Sequence, residues 1–424
     1  MHARFRDRVR LTEPVPSRFS PLSTANFRYF FIGQVVNRVG SSMAGVALAF
    51  AVLDISDSAS ALGVVVAASS IPMVVFMLLG GAIADRLPRA VVLRGCNLLQ
   101  GGLQATVAIL VLTGVAEIWH LVVLEALAGV LFSIRYPAFL GMVPILLPPG
   151  ERKSAFVLIG QATSAVSIIG PAVSGVIVAT IGPGVALAVD ASTYLIAAGL
   201  LALVKLPPGD RTQAQPSVIG DFVAGWAFAR KLGWVIPGAS AALVFNALWS
   251  GAVGVLGPVV ADNTIGSQGW GIAIACQAFG AFGVGFVLTK VTIRVPLRTI
   301  MLAFAGWCLP MLVLGTYVEL WLLSFAFIVA GACLGLLDLS WNLVVQEKVP
   351  EHMLSRIMAI DGFFSFVANP IGQLAVGPIA VAFGVGKVQL GCFVIAMAVS
   401  AFAATRPRLN AVRLDVPEPQ ASRR

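Results

Sequence analysis

The apolar residues of the chain fall into twelve long runs, and short polar segments separate these runs. A helix needs about 20 predominantly apolar residues to cross the hydrocarbon of a bilayer, and each run has about that length. The pattern therefore predicts an all-α polytopic membrane protein with twelve transmembrane helices. The predicted helices are 27–53, 60–84, 90–113, 117–143, 154–181, 185–205, 234–261, 268–289, 297–316, 319–345, 357–383 and 386–405.

The composition supports a membrane location and excludes several other classes of protein. Of the 424 residues, 58% are hydrophobic and 11% are charged, and the mean hydropathy is +0.93. A soluble fold does not need that much apolar surface. The five cysteines lie singly in apolar runs without the spacing of a metal or redox site, so we predict neither a metal nor a cofactor. Residues 1–25 hold no apolar run, so we expect no cleavable signal peptide.

The longest polar connection divides the twelve runs into six and six. Within it, the stretch from Val218 to Leu232 alternates apolar and polar residues at helical spacing, which is typical of an amphipathic helix on the inner membrane surface. The expected domains are a disordered cytoplasmic N-terminus (1–25), a six-helix bundle (26–205), a cytoplasmic linker with an amphipathic helix (206–233), a second six-helix bundle (234–405) and a cytoplasmic tail (406–424).

The basic residues determine the predicted orientation. With the N-terminus inside the cell, 26 of the 28 Lys and Arg residues fall on cytoplasmic segments or near the helix ends that face them. The exceptions are Lys387, predicted outside, and Arg38, predicted within the first helix. The net charge of +9 is therefore a topology signal rather than a nucleic-acid-binding surface. We expect a multi-pass protein of the cell (inner or plasma) membrane with both termini in the cytoplasm.

A short charged hairpin from Gly80 to Arg89 joins the second and third predicted helices. Its charges must lie at a membrane face, because a charge at the bilayer centre costs at least ~3 kcal/mol. The hairpin resembles the signature loop of the major facilitator superfamily, G-x-x-x-D-R-x-G-R-[RK], although Pro88 and Ala90 depart from that pattern. The resemblance implies two six-helix bundles and a gating role for the matching residues. The matching residues are Gly81, Asp85, Arg86 and Arg89.

The fifth predicted helix contains Gly170 and Pro171, with Gly175 four residues beyond the proline. A proline inside a helix removes a backbone hydrogen bond and allows a bend. The sequence resembles the helix-5 motif of drug–proton antiporters, with Ser174 in place of the first of two paired glycines. That resemblance implies export, and the alternative is an ordinary proline kink between packed helices.

Four acidic residues fall within the predicted helices and are candidates for proton coupling: Glu125, Asp190, Asp338 and Asp361. Glu125 stands four residues before Gly129, where many related antiporters have an arginine, so the proton-transfer role of that arginine does not carry over directly. Glu125 and Asp190 are predicted toward the outer helix ends, and the alternative for each is a hydrated acid. Asp361 is also a candidate gate partner of Arg135 or Arg86.

Arg38 lies about eleven residues into the first predicted helix, one helical turn after Gln34 and next to Asn37. An arginine at that depth must face a cavity or an acid. It is a candidate for binding an anionic substrate group, and the alternative is a structural partner of Glu125 or of another acid. Asn246 and Gln277 are further candidates to line the substrate cavity, with hydrogen bonding between helices as the alternative.

Over nearly its whole length, the chain resembles the major facilitator branch that contains enterobactin exporters and macrolide efflux proteins. The resemblance implies proton-driven export of a small amphipathic compound, such as a drug, antibiotic or siderophore, by a monomer in the bilayer. Two alternatives are an importer or facilitator of the same fold, and a membrane-embedded enzyme or lipid-handling protein. The three histidines have no plausible catalytic partner, so we predict no enzyme activity; they are His2, His120 and His352.

Overall fold

The computed structural model describes residues 19–84, 88–205, 218–288, 295–406 and 412 of the chain. These residues are almost entirely helical. The α-helices are α1 (Ala25–Ser56), α2 (Ala59–Ala84), α3 (Arg89–Leu112), α4 (Ile118–Leu140), α5 (Met142–Leu146), α6 (Pro149–Thr180), α7 (Pro183–Ala202), α8 (Val218–Leu232), α9 (Val235–Ala252), α10 (Leu256–Asp262), α11 (Gly266–Leu288), α12 (Pro296–Trp307), α13 (Leu309–Gly315), α14 (Leu320–Lys348), α15 (Glu351–Phe383) and α16 (Val385–Ala404).

Twelve helical segments in the described residues are long and apolar enough to cross a membrane, which confirms the predicted number. Three spans that were predicted as continuous are broken into two helices each, namely α4 with α5, α9 with α10, and α12 with α13. A proline follows each break within two to five residues: Pro144, Pro258 and Pro310. A proline ring clashes with the carbonyl four residues earlier and has no N–H to donate, so the preceding helix ends near that carbonyl.

Two spans begin at least five residues earlier than predicted. α6 begins at Pro149, five residues before the predicted start, and α15 begins at Glu351, six residues before it. Pro149 occupies the first helical position, where its fixed φ suits a helix and its missing N–H costs nothing. Pro350 directly precedes α15. The polar first turns of these helices extend beyond the apolar runs from which the spans were predicted.

The helices form two halves joined by α8. In the first half, α2 packs on α4, α3 packs on α7, and α1 contacts both α6 and α7. In the second half, α11 and α12 pack on α14, and α9 packs on α15. The main contacts between the halves are α6 with α11 and α2 with α15. Asn26 at the start of α1 exchanges two hydrogen bonds with the backbone of Lys205 after α7, so both helix ends lie at the same end of the bundle. We call this the linker end and the opposite one the far end.

At the far end the two halves are in direct apolar contact. Val52 and Leu53 of α1 share a buried cluster with Val255 and Leu256 of the second half. A side chain added to Gly63 of α2 would meet the backbone carbonyl of Gln373 in α15. Small residues of this kind let membrane helices approach closely. The far end is therefore closed by packing between the halves.

The linker helix α8 packs against the second half. The Trp226 ring is stacked on Phe364 of α15 with centroids 6.0 Å apart, and Ala229 is fully buried. The prediction that α8 lies on the inner membrane surface stays a prediction.

Candidate functional site

A cavity of about 460 Å³ lies between the two halves, and both halves line it. Helices α1, α2, α3, α4 and α7 form one wall, and α9, α10, α11 and α14 form the other. We call it the central cavity. Its polar lining residues are Ser41, Ser69, Gln100, Gln104, Glu125, Asp190, Tyr194 and Gln277.

Two of the predicted acids, Glu125 of α4 and Asp190 of α7, line the central cavity together. The two carboxyls are close enough to interact electrostatically, and the Ser69 hydroxyl lies beside Glu125. Asp190 is only 2% exposed, and its Oδ1 has no hydrogen-bond partner among the described residues. Gly40 has no side chain, which lets α1 approach α7 closely here. A side chain at this position would collide with Asp190 and Thr193.

The second half supplies an aromatic wall to the same cavity. Trp249 of α9 lies in an edge-to-face arrangement with Phe327 of α14, with centroids 6.2 Å apart. Trp270 of α11 contacts the same phenylalanine edge-on at 5.7 Å. Gln277, a predicted cavity residue, is a polar group on this side. The cavity thus pairs carboxyl groups on one wall with aromatic rings on the other.

A second cavity of about 260 Å³ lies inside the first half, between α1, α3, α4 and α6. We call it the arginine pocket because Arg38 and Arg135 both line it. Arg135 donates a hydrogen bond from Nη1 to Asn37 Oδ1 at 2.9 Å, and the Arg38 side chain is exposed. The predicted residue Gln34 lines the same pocket. Sequence reasoning gave Arg135 only a topological or gating role, although its position ten residues after Glu125 in one apolar run was a signal of a site.

The arginine pocket and the central cavity are contiguous. Ser41 lines both of them. A small cavity of about 200 Å³ also joins them, because its lining includes Glu125 and Tyr194 of the central cavity and Arg135 of the arginine pocket. The first half therefore carries a continuous polar path from its acids to its arginines.

The other two predicted acids, Asp338 and Asp361, lie together in a separate cavity of about 170 Å³ within the second half. Phe304, Trp307 and Trp341 surround them, and the predicted residue Asn246 lines the same cavity. Asn246 donates to the Ala242 carbonyl of its own helix, at 2.8 Å. No ion pair joins Asp361 to Arg135 in the described residues. That predicted gate contact is absent here.

The helix-5 motif lies where α6 meets both α1 and α11. A side chain on Gly170 would collide with Ser42 of α1, and one on Gly175 would collide with the backbone around Ser267 and Gly271 of α11. Ser174, which departs from the family pattern, is fully buried and donates to the Met43 carbonyl of α1 at 2.8 Å. The motif thus forms part of the seam between the halves.

The predicted gating loop is only partly described. Asp85 and Arg86 lie outside the described residues, and Gly81 belongs to the last turn of α2. Arg89, at the start of α3, donates from Nη1 to the Gly141 carbonyl after α4 at 2.8 Å. Cations commonly satisfy the free carbonyls at helix C-termini in this way. No group of three or more metal-ligating side chains occurs in the described part of the chain.

Comparison with protein families identifies the architecture. The family described as transmembrane secretion effectors, within the major facilitator superfamily, matches residues 16–422. The chain belongs to this family. Membership confirms the predicted superfamily and fold, and it identifies a transporter rather than an enzyme.

The relatives of this chain include proteins named for efflux. The chain is 25% identical over 394 residues to the multidrug efflux pump Tap of Mycolicibacterium fortuitum, covering 88% of this chain and 94% of that one. It is 22% identical over 403 residues to macrolide efflux protein A of Streptococcus pyogenes, covering 91% and 96% of the two chains. The predicted efflux branch is therefore confirmed.

Solved structures support the fold of this family member. A mutant form of the nucleoside transporter NupG superposes with a TM-score of 0.73 at 12% identity, over 89% of this chain and 99% of that one. A D-xylose–proton symporter superposes with a TM-score of 0.69 at 14% identity, over 93% of this chain and all of the other.

Proposed function

We propose that this protein exports a small amphipathic compound from the cell in exchange for protons. The observation that carries the proposal is the central cavity, whose two walls come from different halves. Glu125 and Asp190 offer proton acceptors on one wall, and Trp249, Trp270 and Phe327 offer an apolar surface on the other. Such a cavity suits a ligand that is largely apolar and carries a few polar groups. The relatives of the chain that are named for multidrug and macrolide efflux support transport out of the cell.

Coupling follows from a difference in affinity between two conformations. A proton on Glu125 or Asp190 removes a charge that is costly to hold inside the membrane. The neutral acid then favours one conformation of the two halves, and the bound compound favours the other. A coupling free energy of about 1–3 kcal/mol is enough to link the two ligands.

The moving units in this proposal are the halves 26–205 and 234–405, which rock about the α6–α11 and α2–α15 contacts. The linker end faces the cytoplasm together with both termini, in agreement with the distribution of the basic residues. In the conformation described here the far end is packed shut, so the compound enters the central cavity from the linker end. The chain works as a monomer, because the cavity is complete within one copy.

The test is substrate-triggered proton movement in proteoliposomes with an imposed pH gradient. Macrolide, tetracycline, siderophore and dye compounds are added to the wild type, Glu125→Gln and Asp190→Asn. The control variant, Asp262→Asn, removes an exposed carboxylate that lies outside the cavities. We expect one compound to release protons from vesicles with the wild type and the control, and at least one cavity variant to lose that release.

Compound movement that ignores the gradient in every variant would contradict proton exchange. It would favour the alternative, a facilitator or importer of the same fold.

A further inference from the structure

The arginine pocket concentrates hydrogen-bond donors and positive charge inside the membrane-spanning part of the first half. Arg38 and Arg135 come from different helices, α1 and α4, and are close enough to repel each other. The lining residues Gln34, Ser41 and Thr163 add further polar groups. None of the residues that line this pocket is acidic.

The two guanidinium groups have no carboxylate counter-ion in this conformation. Among the described residues, no carboxylate oxygen lies within 4.0 Å of either arginine. Asp190 interacts with Arg135 electrostatically from beyond that distance. Charged side chains within membrane-spanning helices commonly face water-filled cavities and mark substrate pathways. The pocket is therefore suited to an anion that the chain itself does not supply.

Asn37 gives an independent indication of a missing ligand. Its side chain is only 4% exposed, and its Oδ1 is occupied by Arg135. Its Nδ2 is buried and has no hydrogen-bond partner in the described residues, although Asn37 lines the pocket. A buried donor without a partner costs about 1–3 kcal/mol. An acceptor atom in the pocket would remove that cost.

The remaining lining is apolar, so the pocket suits more than a small inorganic ion. Phe31, Leu93, Phe132, Phe139 and Ile159 surround the polar groups. Its volume of about 260 Å³ is below the range of about 300–1,000 Å³ for sites that enclose a whole drug-sized ligand. The contiguous central cavity provides the additional space.

We propose that Arg38, Arg135 and Asn37 form a subsite for the anionic head, a carboxylate or a phosphate, of an amphipathic substrate. The planar guanidinium groups bind both head groups well, because their donors match paired oxygen atoms. The apolar body of the substrate extends along Ser41 toward the aromatic wall of the central cavity. This inference rests on the proposed function only in taking the bound anion to be transported cargo.

The test uses two probes that differ in one group, naphthoate and its neutral counterpart naphthalenemethanol. Binding to the full-length protein in phosphatidylcholine nanodiscs is measured by calorimetry against empty nanodiscs. The variants are Arg38→Gln and Arg135→Gln. The matched control is Arg94→Gln, which removes an exposed positive charge of α3 that does not line the pocket. Arg38 makes no side-chain hydrogen bond in the described residues, so its variant removes charge without breaking a contact of the fold.

We expect the wild type to bind naphthoate about tenfold or more tightly than naphthalenemethanol, as charge-assisted hydrogen bonds provide. Each pocket variant loses that preference, while the control keeps it and binding of the neutral probe is unchanged in all proteins. Arg135→Lys keeps the charge but not the paired geometry, and is expected to lie in between. Equal binding of both probes by the wild type, or an equal loss of both probes in the variants, would overturn the proposal.

A second arm distinguishes a lipid phosphate from a substrate anion. Phosphatidylglycerol is added to the nanodiscs, and lipid retained on the protein is measured by native mass spectrometry. Retention that Arg38→Gln abolishes, without any preference for naphthoate in phosphatidylcholine, would assign the pocket to a lipid headgroup and overturn the substrate subsite. Because binding needs no proton gradient, a failed proton exchange would leave the subsite intact, and a failed subsite would leave proton exchange intact.

Discussion

The two halves share an architecture but differ in the chemistry of their cavities. The first half places Glu125 and Asp190 on a polar path that continues to Arg38 and Arg135. In the second half, the cavity around Asp338 and Asp361 is lined mainly by aromatic and aliphatic side chains, with Asn246 and Ser365 as further polar groups and no basic residue in the described part of the chain. Both halves therefore hold acids inside their membrane-spanning helices, but in the described part of the chain only the first half combines its acids with arginines along one polar path.

The largest effect is expected from comparing the acids of the two halves. Glu125→Gln removes a proton acceptor from the central cavity, whereas Asp338→Asn changes a separate cavity of the second half. We expect at least about a tenfold loss of substrate-triggered proton movement for Glu125→Gln, and less than about a twofold change for Asp338→Asn. The initial rate of pH change in proteoliposomes measures both. The reverse ranking would place coupling in the second half.

In contrast to the cavities, the contact between α6 and α11 depends on both halves. Substitutions on either side of it are therefore expected to lower stability to a similar extent. A side chain at Gly175 of α6 would collide with α11, and one at Gly271 of α11 would collide with α6. Gly175→Val and Gly271→Val are each expected to lower stability by about 1–3 kcal/mol, as overpacking does. Thermal unfolding in detergent measures the loss.

The controls for the seam are Gly160→Val in α6 and Gly283→Val in α11, because an added side chain at either position meets nothing within 4 Å. A control that destabilises as much as its seam partner would show that the loss comes from the helix and not from the contact between halves.

Substitutions in the aromatic wall are expected to have a smaller effect, which is confined to substrate affinity. Trp249→Ala removes a ring that contacts both Phe327 and Trp307. Aromatic contacts of this kind are worth about 0.5–1.5 kcal/mol, so substrate affinity should fall roughly three- to tenfold. Ligand-induced fluorescence change measures it, with the exposed Trp119→Ala as the matched control. Unchanged substrate affinity in Trp249→Ala would contradict the proposed contact between the substrate and this aromatic wall.

The smallest effect is expected at Ser174. Its hydroxyl links α6 to α1 through the Met43 carbonyl, so Ser174→Ala leaves a buried acceptor without this donor. We expect a stability loss of about 0.5–1.5 kcal/mol by thermal unfolding. Ser192→Ala, whose exposed hydroxyl bonds only within its own helix, should change nothing measurable. If the Ser174 variant is as stable as the wild type, the serine that replaces the family's glycine does not contribute to stability.

The fold followed from the sequence because length and apolarity decide whether a helix spans a bilayer. The twelve spans and the superfamily were predictable, and the helix breaks before Pro258 and Pro310 were missed because an apolar run continues through them. Prolines do not always break a helix, since Pro171 and Pro370 lie inside intact ones. The apolarity of the surrounding residues does not show which prolines break a helix and which lie inside an intact one.

The site was predictable only residue by residue. The sequence indicated Glu125, Asp190 and Arg38 as polar groups in apolar runs, but it could not pair residues of different helices. The structure brings Glu125 and Asp190 together and separates both from Asp338. It also brings Arg135 to Asn37, 98 positions away in the chain. Such pairings depend on how the helices pack against one another. The pattern of residues along a single helix carries no information about that packing.

The most direct test of the central claim follows the substrate in inside-out membrane vesicles. With the lumen acidified, the wild type is predicted to accumulate the compound and to release it when an ionophore dissipates the gradient. The double variant Glu125→Gln/Asp190→Asn, which lacks both acids of the central cavity, is predicted to equilibrate the compound without accumulating it. Accumulation by this double variant at the wild-type level, or accumulation by the wild type that survives dissipation of the gradient, would contradict the account.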